Sequence, residues 1–136
     1  MATNTYVALD KVTVATATPS VTFTSIPSTY TDLVLVMNPA TTHSSSTFVS
    51  MLFNSDSGTN YSINEMYGNG TSAISTQAAN TNVAWLGLDV SISNVLGDSV
   101  ITSNIMGYSN TSVNKNSPML NDDKGSVGTG SKWTFR

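Results

Sequence analysis

Leu86-Gly87-Leu88-Asp89-Val90-Ser91-Ile92-Ser93 alternates large apolar side chains with small or polar ones at every step. That period of two belongs to a β-strand with one covered face, and it is the clearest periodic signal in the chain. Trp85 immediately precedes it, and Gly97-Asp98 follows as a turn signal before a second apolar stretch, Val100 to Tyr108. Reading outward toward the start of the chain, Leu33-Val34-Leu35-Val36-Met37 is a short apolar run closed by Asn38-Pro39. Such a run predicts a strand covered on both sides, and we place it in the middle of the core. Tyr6 to Val14 and Val21 to Thr24 also read as strands; the first changes parity at Asp10-Lys11, where a β-bulge is expected. Phe48 to Phe53 supplies another.

Between Asn54 and Asn82 the chain is polar and interrupted by Gly58, Gly68 and Gly70. It reads as a long loop with at most one short strand, Ser72-Ala73-Ile74-Ser75. The stretch from Asn110 to Gly130 is again polar and Gly-rich, and Lys132-Trp133-Thr134-Phe135 begins a strand just before Arg136. A strand begun there and not continued is expected to lie at a sheet edge. Roughly seven or eight short strands separated by turn signals, with no helical period, predict an all-β, antiparallel two-sheet β-sandwich of jelly-roll type. No internal repeat supports a propeller or solenoid.

The composition agrees. The chain has 136 residues, enough for one domain spanning 1–136, and about two in five are Ser, Thr or Asn. Thr suits a pleated surface, while Ser and Asn compete with a helical backbone and gather in turns. Charged residues are only 10% and the net charge is -3, with no Lys/Arg cluster, so no electrostatic footprint for nucleic acid is present. No apolar window approaches membrane-span length, so no membrane partner is expected. The sequence has no Cys, which removes thiolate chemistry and disulfides. Its first residues carry no export-signal pattern, so synthesis and folding in a cytoplasm are expected. The acceptor-like triplets at Asn60, Asn69 and Asn110 follow from composition.

Catalytic patterns are weak. A Ser-His-Asp relay would have to use His43, the only His, which sits in the Ser/Thr-rich stretch 41–46 and reads as a solvated loop residue. Paired-carboxylate chemistry needs two acids at fixed separation, yet Glu65 is the only Glu and the aspartates fall at turns or outward positions. Asn54-Ser55-Asp56-Ser57-Gly58 with Glu65 approaches a calcium loop, but the Gly is misplaced and the first ligand is Asn, so an Asx turn is the reading. No enzyme activity, cofactor or metal is expected. Tyr61, Met66, Tyr67 and Trp133 remain as candidates for interface or ligand contact, with Tyr61, Tyr67 and Trp133 able to offer stacking faces to a sugar.

The stretches Tyr6-Val-Ala-Leu-Asp-Lys-Val-Thr-Val14, Ser20-Val-Thr-Phe-Thr-Ser-Ile-Pro-Ser-Thr-Tyr-Thr-Asp-Leu-Val-Leu-Val36 and Phe53-Asn-Ser-Asp-Ser-Gly-Thr-Asn-Tyr-Ser62 resemble jelly-roll virion proteins of tailed bacteriophages, especially cyanophages. The likeness runs through roughly the first 110 residues. It implies a non-enzymatic virion structural protein at the virion surface: a capsid decoration, cement or knob protein, or alternatively a tail-fibre or spike head domain binding a host-surface glycan. It further implies a homotrimer, and the major capsid protein or tail proteins as partners. Members of that family continue past the strand begun near Trp133, so the last strands of the family are expected to be absent here or supplied by a neighbouring subunit.

Overall fold

A computed structural model describes residues 6–40, 49–68, 71–86, 99–112, 114–123 and 126–135. Eight strands and no helix occur among them: β1 (Leu33–Met37), β2 (Ser50–Met51), β3 (Tyr61–Gly68), β4 (Ala73–Thr81), β5 (Ala84–Trp85), β6 (Ser99–Ile105), β7 (Asn116–Asp123) and β8 (Ser126–Phe135). Six form one sheet in the order β1-β6-β7-β8-β3-β4, and β2 pairs with β5 in a second, small sheet. Every pairing is antiparallel. The fold is therefore all-β and antiparallel.

Alternation along each strand decides what is buried. On β6, Ile101, Ser103 and Ile105 face inward while Val100 is exposed. On β3, Tyr61, Ile63 and Glu65 are buried and Asn64 and Met66 are exposed. Register carries these inward positions across the sheet: Leu35 opposes Ser103, and Ile63 lies between Ala78 on β4 and Trp133 on β8. The small sheet lies over this face. Ala84 and Leu86 join Tyr61, Ile63 and Ile101 in one cluster, with Met51, Val49, Phe53 and Trp85 packed against it. Leu86 N–H donates to Val49 C=O at 2.7 Å, which continues the β2–β5 pairing by one step.

Several expectations are corrected. Residues 6–14 and 21–24 belong to no strand and are exposed throughout, so no bulge exists at Asp10-Lys11. Their alternation marks competence to pair, and among the described residues no strand pairs with them. β1 has the expected bounds, but among the described residues it is an edge strand with Val34 and Val36 exposed, because only β6 flanks it there. The strand expected over 48–53 is limited to Ser50–Met51. The supposed loop from Asn54 to Asn82 contains the β3–β4 hairpin, whose register shifts between Tyr61 and Ser62 opposite Asn80, a residue with φ of 57°. Asn tolerates that left-handed conformation better than most residues.

The polar stretch 110–130 likewise holds β7 and the first half of β8. Lys132 to Phe135 is no edge: β8 pairs with β7 on one side and β3 on the other. The alternating stretch that decided the fold class lies, beyond Leu86, outside the described residues, as does the turn at Gly97-Asp98.

Candidate functional site

The expected site residues do not form one surface. Tyr61 is 3% exposed and belongs to the core, so it presents no stacking face in the single chain. Burial follows from its inward parity on β3. Met66, one strand position out of phase, is 64% exposed on the opposite face, between Ser75 of β4 and Gly130 of β8. Tyr67 pairs in register with Ile74 and Thr129, and Trp133 with Ile63 and Ser117. The side chains of Tyr67 and Trp133, and all of His43, lie outside the described set.

The segment from Phe53 to Tyr61 is a self-contained turn. Asp56 N–H donates to Phe53 C=O at 2.8 Å, and Gly58 N–H donates to Asp56 Oδ1 at 2.9 Å, which is the Asx turn. Asn60 Nδ2 donates to Asp56 Oδ2 at 2.9 Å and to Oδ1 at 3.2 Å. Asn54 and Ser55 take left-handed φ values of 51° and 59°, which Asn accepts readily. Tyr61 O–H then donates to Asp56 C=O at 2.9 Å and accepts from Phe53 N–H at 3.2 Å, fastening the turn to β3.

Electrostatics follow this wiring. The Asn60 side chain, and after it the Gly58 amide, hold the Asp56 carboxyl below its ordinary 3.8 against a weaker opposing effect of burial. Burial pushes the Tyr61 phenol above its ordinary 10.0; the Phe53 amide opposes this and the Asp56 charge adds to it. The lone pairs a cation would need are directed at donors inside the turn, and no group of three His, Asp or Glu able to hold a metal occurs among the described residues.

The surface that stands out was not singled out by sequence reading. Val34 and Val36 on β1, Val100 on β6 and Met106 just beyond it are 41–65% exposed on the outward face. The same chain carries an exposed leading segment, in which Tyr6, Val7, Leu9, Val12, Val14, Val21 and Phe23 range from 38% to 75% exposed. The uninterrupted apolar run 33–37 was the available signal, since a strand apolar on both faces asks for cover on both. Chemically this is a binding surface for apolar side chains and backbone. In comparison with known proteins, the chain matches no family model, no curated protein and no solved structure.

Proposed function

We propose that the chain is a non-enzymatic structural protein of a tailed-bacteriophage virion, a capsid-surface decoration protein that works as a homo-oligomer bound to the major capsid protein. The resemblance of residues 6–14, 20–36 and 53–62 to such proteins motivates the reading and implies its trimer. The observation that supports it best is the distribution of apolar surface. A chain that leaves seven large apolar side chains exposed in its leading segment, and four more beside an open sheet edge, is built to be covered by other polypeptides. On this reading the small β2–β5 sheet is the nucleus of the second layer of a jelly-roll sandwich.

The experiment is mass spectrometry of purified particles together with an electron-microscopic map of the intact virion. Density for an all-β domain repeated over the capsid is the expected result. A polypeptide missing from the particles, or found on the tail alone, would sink the decoration role. The tail-fibre glycan reading loses one of its stacking faces with the burial of Tyr61.

A further inference from the structure

We propose that residues 6–24 are an exchange arm: in the assembled protein they leave their own body and pair with the open edge of β1 in a second copy of this chain, covering its Val34 and Val36. Four observations carry this. The arm has strand-grade alternation, with Val7 and Leu9, Val12 and Val14, and Val21 and Phe23 each two apart, yet it joins no ladder among the described residues of its own chain. Among the described residues β1 is hydrogen-bonded on one side only, and it is apolar on both faces. An apolar segment without a partner strand and an edge strand without a neighbour are complementary needs of one sequence.

The exit from the body is the third. Ser25 has φ of 57°, in the left-handed region that a non-glycine residue occupies at a cost. Immediately after it the chain is pinned: Ile26 C=O accepts from Tyr108 O–H at 3.1 Å, Thr31 C=O from Tyr108 N–H at 2.8 Å, and Asp32 Oδ1 from Gly107 N–H at 2.6 Å. A strained residue between a free arm and a fastened connection is where segment exchange is favoured.

Dimensions are the fourth. An extended arm of this length reaches about 60 Å, whereas six strands spaced by about 4.8 Å span roughly 24 Å. It is long enough to cross to a neighbour. The inference deepens the self-assembly part of the proposed function and needs nothing from the capsid.

The absence of cysteine makes the test clean. Full-length Phe23→Cys and Val36→Cys chains carrying different tags are co-expressed and treated with a short thiol-reactive bifunctional linker. A covalent pair carrying both tags is expected, and the Phe23→Cys/Val36→Cys double variant, at a concentration where the chain sediments as an oligomer, is expected to link between chains only. Linkage within one chain would mean that the arm folds back on its own β1, and that result, or no linkage at all, overturns the proposal. Sedimentation gives a second readout: the unaltered chain should run as an oligomer, with self-association weakened about tenfold or more by Val21→Asp/Phe23→Asp. A monomeric unaltered chain, or association untouched by that variant, also overturns it. Arm exchange in solution with no polypeptide on particles would leave this inference standing and remove the virion role; a strictly monomeric protein on particles would do the reverse.

Discussion

Tyr61 shows how one side chain can be both core and fastener. Its ring is buried beside Ile63 and Ile101, and its hydroxyl bridges the Phe53 amide and the Asp56 carbonyl. Tyr61→Phe keeps the ring and strands those two backbone groups, so a loss of about 1–2 kcal/mol is expected in urea denaturation. The same pair of residues predicts how stability responds to pH. Asp56 titrates below its unfolded value, so its contribution is present above about pH 4 and is lost as pH falls through the folded value. Tyr61 titrates above its unfolded value, so its contribution is present below pH 10.0 and is lost as pH rises beyond it. Thermal melts across pH should narrow at both ends, and Asp56→Asn should flatten the acid side only. From sequence, residues 54–58 were legible as an Asx turn because Asp followed two later by Gly is local chemistry. The burial of Tyr61 was not legible, because it depends on which parity of β3 meets Leu86.

Elements were legible where apolar period and strand coincide, and not elsewhere. β1 and β6 stand out as Leu33 to Met37 and Val100 onward, and the structure places strands there. β3 escaped because its buried parity contains Glu65 and its exposed parity contains Met66, which breaks the pattern. The second half of β8 was read as a strand from Lys132, and its first half escaped because Gly128 and Gly130 read as turn residues, although glycine in a strand is only depleted, not forbidden. The leading segment erred the other way, since alternation predicts the ability to pair and names no partner. Polar residues also sit inside the ladder itself. Ser103 of β6 and Ser117 of β7 are both fully buried and hydrogen-bond to each other through their hydroxyls. A double-mutant cycle should expose this: Ser103→Ala and Ser117→Ala each cost about 1–2 kcal/mol, while the double variant costs clearly less than their sum. Strict additivity in chemical denaturation would mean that the two hydroxyls do not rely on each other.

At the scale of the molecule, the cluster of Tyr61, Ile63, Ala84, Leu86 and Ile101 is small beside the apolar surface left outside it. A chain in this condition gains stability by association, and association that favours the folded state makes the melting temperature rise with protein concentration. Differential scanning calorimetry over a hundredfold concentration range should show that rise, and Val34→Asp/Val36→Asp should abolish it while far-ultraviolet circular dichroism stays that of a β protein. A melting temperature independent of concentration would mean that the exposed apolar side chains are not covered by copies of the chain.

The place of β8 between β7 and β3 has a kinetic meaning. β6, β7 and β8 follow one another in sequence and pair in that order, as do β3 and β4, so each group can form by closing short loops. The two groups meet at a single ladder, in which Ile63 lies opposite Trp133. Closing it requires the chain to bring together positions separated by half its length, and the entropy of that step is lost before the contacts beyond it are gained. The β1–β6 ladder closes over a similar separation, so refolding should be limited by these two seams: a substitution at Ile63 or at the half-buried Leu35 slows folding, whereas one at the exposed Val36 leaves the folding rate of the isolated body unchanged.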